Sequence, residues 1–135
     1  MSLEDELNEL GNLTAQYVRL LGESGGYQRE EHHANLSVVS DPETGEPIIK
    51  LDLVSRALNR QGKTSGQIYG KVNTIFNELA AIGAPADELQ EIRERIREEW
   101  LKGLDYDFSD MLIPAAKYEL QALQEAVQKY SLVLN

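Results

Sequence analysis

The sequence predicts an α+β fold dominated by helices: a bundle of about four helices with one β-hairpin inserted after the first. Three observations carry that expectation. Apolar residues recur at helical spacing in three stretches, near residues 1–22, 65–102 and 110–134. Period-two alternation with turn chemistry occurs in a single stretch, residues 35–54. Glycine and proline punctuate the chain between these stretches. At 135 residues and 15.2 kDa the chain is expected to form a single domain, residues 1–135.

In the first stretch, Leu3, Leu7, Leu10, Thr14, Tyr17 and Leu21 alternate spacings of four and three, with Leu13 and Leu20 widening the stripe. An amphipathic helix follows, expected to end at Gly22, Gly25 and Gly26. The hairpin is expected over 35–54. Pro42 supplies the fixed φ of the first central turn position, and Gly45 the positive φ that closes a bulged turn. Ile49, Leu51 and Leu53 would then share one face of the second strand, opposite Lys50 and Asp52. A short helix near residues 54–60 is also compatible with the pattern. Ser65 to Ile82 presents Ile68, Tyr69, Val72, Ile75, Phe76, Leu79 and Ile82 as a core helix that stops at Gly83, with Pro85 beyond. Residues 86–102 continue as its antiparallel partner and end at Gly103. Over 110–134, Ile113, Ala116, Leu120, Leu123, Val127, Tyr130 and Leu134 follow spacings of three and four without a break. That seam can pair within the chain or across a dimer axis. Leu120, Leu123, Val127 and Tyr130 are the expected interface residues of a homodimer.

The charge balance narrows the partners. Thirteen basic residues against 23 acidic ones give −10, which disfavours attraction to the phosphates of nucleic acid. The charge is uneven: residues 1–49 carry 10 acids and 2 bases, 50–77 carry 1 acid and 5 bases, and 78–135 carry 12 acids and 6 bases. The basic middle is either an anion site or the internal partner of its acidic flanks. With no cysteine, disulfides and thiolate chemistry are excluded. The acidic N-terminus lacks the features of a signal peptide, and no apolar run approaches a membrane span. A cytoplasmic protein with no membrane association is expected.

Four groups of residues invite chemistry. Gly62-Lys63-Thr64 looks like the end of a P-loop, but Ala57 stands where that motif needs a glycine. A weaker version survives: a Gly-rich loop opening a helix, holding a small phosphorylated or anionic ligand through Arg56, Arg60, Lys63, Thr64 and Lys71. Gly62, Gly66 and Gly70, four apart, would form a smooth strip suited to close packing. Glu30 and His33 have the i, i+3 spacing of di-metal helical sites, but a single copy beside a predicted strand reads as a polar loop, so no metal site is assigned. Asp105, Asp107, Ser109 and Asp110 fail the EF-hand pattern, and Ser109 or Asp110 reads instead as a helix N-cap. No Ser-His-Asp arrangement is identifiable, and no cofactor is implied. The expected function is therefore that of a small, acidic, non-catalytic interaction or regulatory protein that self-associates and binds another protein. The alternatives are the anion binder at 56–71 and an acidic inhibitor or immunity-type protein blocking a basic groove.

Overall fold

The computed structural model describes residues 2–28, 38–105 and 109–134. The elements run α1 (Leu3–Gln28), β1 (Val38–Ser40), β2 (Pro47–Ile49), α2 (Lys50–Ala81), α3 (Ala86–Leu104), a 3₁₀ turn (Ser109–Leu112) and α4 (Ile113–Leu134). This is the expected helix-dominated α+β bundle with one antiparallel hairpin after the first helix. Leu10, Leu21, Ile75, Leu79 and Leu123 are fully buried at its centre.

A reciprocal capping box starts α1: the Asp5 amide donates to Ser2 Oγ (3.2 Å) and the Ser2 amide to Asp5 Oδ2 (3.3 Å). The helix runs past Gly22 to Gln28. Glycine in a helix costs only about 1 kcal/mol, too little to stop a helix that is gaining burial. At Gly25 the missing side chain has a use, since an added Cβ would lie 2.5 Å from Asp110 Cγ. Here the 3₁₀ turn lies against α1.

The hairpin pairs Val38 with Ile49, Val39 with Ile48 and Ser40 with Pro47. Its turn is closed by Asp41, whose Oδ1 accepts from the Glu43 amide (2.8 Å), and by Gly45 at φ 75°. The strands are shorter than the sequence pattern suggests. Of the expected span, 35–37 lie outside the described residues and 50–54 are helical. Ile48, not Ile49, is the half-buried position of β2, and Ile49 and Leu51 are exposed.

The main correction concerns α2, which begins directly after β2 and runs 32 residues, ~48 Å at 1.5 Å per residue. Leu53, Ala57, Thr64, Ile68, Ile75 and Leu79 are all buried along it. Their spacings of four and seven carry one helical stripe straight through the presumed loop. Gly62, Gly66 and Gly70 lie in its interior, and an added Cβ at any of them would meet nothing within 4 Å. The glycine strip faces open space and packs against nothing among the described residues.

A Schellman motif ends α2: the Ala84 amide donates to Leu79 O (3.0 Å) and the Gly83 amide to Ala80 O (3.1 Å), with Gly83 at φ 102°. The chain then turns back into α3. Asn73 accepts from Arg93 Nη1 near this turn (3.2 Å), but further along the two helices diverge. On the opposite side α1 and α2 are antiparallel, with Lys71 Nζ 2.6 Å from both Glu6 and Glu9. The pair α3 and α4 is also antiparallel, since Trp100 reaches Glu119 while Glu88 reaches Tyr130. No helix of the described residues is long and apolar enough to cross a membrane.

Candidate functional site

Where α2 and α3 splay apart, a cleft of about 310 Å3 opens. All four helices line it: Tyr17 from α1; Ser65, Ile68, Tyr69, Val72, Asn73 and Phe76 from α2; Arg93, Ile96, Arg97 and Trp100 from α3; and Glu119 from α4. Its shape follows from local sequence. Ile68, Val72 and Phe76 occupy one face of α2 at i, i+4 and i+8, and Ile96 and Trp100 occupy one face of α3 at i and i+4. These two apolar faces would close on each other if the helices stayed parallel. Because they diverge from Gly83, the faces instead become walls.

The interior is aromatic. Tyr17 and Trp100 meet edge to face, centroids 6.0 Å apart at 62°, a favoured arrangement for ring quadrupoles. Burial and, secondarily, the nearby Glu119 push the Tyr17 phenol above its ordinary value, against a lowering influence of Ser65. The Arg93 guanidinium stacks over Phe76, 4.0 Å from the ring centroid. Tyr69 stands at the rim, 71% exposed.

Glu119 is the one carboxylate of the lining. Trp100 Nε1–H donates to its Oε2 at 3.3 Å, and among the described residues no Lys, Arg or His makes an ion pair with it. Burial pushes its pKa up to about 7, the indole hydrogen bond offsetting part of that rise. A carboxylate offers about four lone-pair sites, so a single long hydrogen bond leaves most of its capacity unused.

The anion-site residues expected from sequence are dispersed. The segment 56–71 is helix interior, so its backbone N–H groups are consumed by intrahelical bonds and cannot cradle a ligand. Arg56 donates to Asp41 (2.7 Å), Arg60 pairs with Glu43, and Lys71 pairs with Glu6 and Glu9. The basic middle is thus largely the internal partner of the acidic N-terminal flank. Thr64 is buried; with Arg60 and Lys63 it borders a more polar groove of about 720 Å3 between α1 and α2, whose rim includes Arg19, Glu23 and Glu43.

The C-terminal seam is occupied from within. Leu123, Val127 and Tyr130 are buried in the chain's own core and Leu120 is half-buried against it. These residues are therefore not free to form a dimer face in this conformation: α1 and α3 cover α4. Glu30, His32 and His33 lie outside the described residues, as do Tyr106 and Asp107.

Sequence reading missed the cleft because Glu119 is one of 23 acids. Two signals were available. Glu119 falls three residues after Ala116 and four before Leu123, on the apolar side of α4, where a charge is out of place. Trp100, the only tryptophan, occupies the matching position of α3. No family model matches the chain, and no curated protein or solved structure matches it either. The cleft is therefore read from its own residues.

Proposed function

We propose that this protein is a non-catalytic binding protein whose α2–α3 cleft takes a small organic molecule with an apolar body. The observation that supports this reading is the divergence of two apolar helix faces around a cleft with few, separated polar groups. Ligand sites are commonly concave and apolar with a small number of convergent polar atoms, and this volume lies at the small end of their range. The unique Trp100 in the wall makes the reading directly testable. Small aromatic compounds should raise the melting temperature and shift Trp100 emission saturably. Val72→Phe, which fills the cleft, should abolish both effects while leaving the helical circular dichroism intact. Binding that survives in this variant would place the ligand elsewhere.

Contact with another protein, including a second copy, is a second reading supported by a different observation. Val38 and Ile49 are cross-strand neighbours and both exposed, next to exposed Leu51. A two-stranded hairpin also leaves both edges open to pairing. Sedimentation velocity across a concentration series should then show association that Ile49→Lys removes; a constant monomer mass would end the self-association reading.

A further inference from the structure

We infer that the ligand of the α2–α3 cleft is an organic cation, a protonated amine on an apolar or aromatic body, whose ammonium group is received by Glu119. This rests on the cleft being a ligand site, as proposed above.

The half-buried carboxylate on the apolar cleft wall carries the inference. A charged group taken out of water needs a counter-charge or several hydrogen bonds. Among the described residues Glu119 has one hydrogen bond, from Trp100. No side chain among the described residues supplies a cation within ion-pair distance, although two arginines line the same cleft. Arg93 is already engaged by Asn73 and by the face of Phe76. Arg97, on the outer part of α3, is exposed and so screened by water. Glu119 is the one negative charge of the lining and is less exposed than Arg97. Attraction strengthens as the dielectric falls, so the half-buried carboxylate favours a cation more than the exposed Arg97 disfavours one. Tyr17 and Trp100 add aromatic rings to the lining, a chemistry suited to an organic cation. The apolar walls, Ile68, Val72 and Ile96, then cover the body of the ligand.

A pH signature follows. The polar and aromatic groups that line the cleft together with Glu119 are Tyr17 from α1, Ser65 and Tyr69 from α2, and Arg93, Arg97 and Trp100 from α3; of these Trp100 and Tyr17 interact with it. Guanidinium groups stay charged throughout the neutral range, and the phenol of Tyr17 is pushed further up and away from it. Glu119, with its pKa held near 7 by burial, is the group that changes charge there. Only its ionised form attracts an ammonium, so amine binding should tighten with rising pH, by about thirtyfold between pH 5.5 and 8.

The test uses the full chain and three probes that share one body and differ in head group: phenethylamine, phenethyl alcohol and 3-phenylpropionate. Trp100 emission and melting temperature are followed at pH 5.5 and 8. The expected result is that phenethylamine binds best, gains about thirtyfold in affinity between the two pH values, and loses at least tenfold at pH 8 in Glu119→Gln. That variant keeps an acceptor for the Trp100 indole and should stay folded. Tighter binding of the alcohol or the propionate, or amine binding unchanged in Glu119→Gln, overturns the cation assignment while leaving the cleft a ligand site. No response to any of the three overturns the cleft reading as well.

Discussion

A carboxyl group largely shielded from water with no counter-charge is cheapest when it carries a proton, and among the described residues Glu119 is in that position. Its pKa is raised from 4.5 to about 7. The stability it contributes is therefore fully present below pH 4.5 and lost as pH rises through 7. Two and a half units correspond to about 3 kcal/mol. Glu119→Gln should make the unliganded protein more stable than the parent at pH 8, by up to about 3 kcal/mol in urea unfolding, with the difference vanishing toward pH 4.5. An equal effect at both pH values would mean that Glu119 does not titrate in the folded state. Leu123 offers a different residue-scale test. It is fully buried in the chain's own core, so Leu123→Ala should cost about 2–5 kcal/mol of folding stability. Were the seam a dimer face instead, the same change would alter mass at constant monomer stability, which equilibrium unfolding and sedimentation together would reveal.

At the scale of elements, the glycines sort into two kinds that sequence alone could not separate. At Gly103 an added Cβ would lie 2.8 Å from Leu112 Cδ2 and 3.0 Å from Met111 O, a backbone atom that cannot easily yield. At Gly62 and Gly66 it would meet nothing. Gly103→Ala should therefore destabilise despite alanine's better helix propensity, whereas Gly62→Ala and Gly66→Ala should each stabilise by about 0.5–1 kcal/mol. Thermal unfolding of the three variants checks both signs. The same contrast explains what was legible. Gly83 with Pro85, and Asp41-Pro42 with Gly45, are turns in the sequence and in the structure, because each needs a backbone conformation that few residues adopt. The start of α2 was not legible. Ile49, Leu51 and Leu53 alternate as a strand would, and the glycines at 62, 66 and 70 look like a loop. Burial of Leu53, Ala57 and Thr64 at helical spacing outweighs both signals. The candidate site was less legible still, since a cleft is a property of how two helices diverge and no local spacing encodes that angle.

For the whole molecule, the charge distribution predicts an acidic optimum of stability. Asp41 is held below the usual carboxylate range, first by the hydrogen bond from the Glu43 amide and then by Arg56. Its contribution is present above the ordinary value of 3.8 and lost as pH falls through the lowered one. Glu119 works in the opposite sense, its contribution lost as pH rises through about 7. Between these limits both contributions are present. The net charge of −10 pushes in the same direction as Glu119, because protonating some of the 23 acids near pH 5 relieves self-repulsion that is fully developed at pH 8. The ion pairs that join the acidic flank to the basic middle do not oppose this. In the pair of Arg56 with Asp41 the acid is held below the usual carboxylate range, so it stays ionised where that repulsion is relieved. Resistance to urea should therefore peak between about pH 4.5 and 6 and decline on both sides, and added salt should raise stability at pH 8 more than at pH 5 by screening the repulsion. Urea midpoints from pH 2 to 9, at low and moderate salt, measure both effects. A maximum at or above pH 8 would mean that neither Glu119 nor the acidic surface limits the stability of this fold.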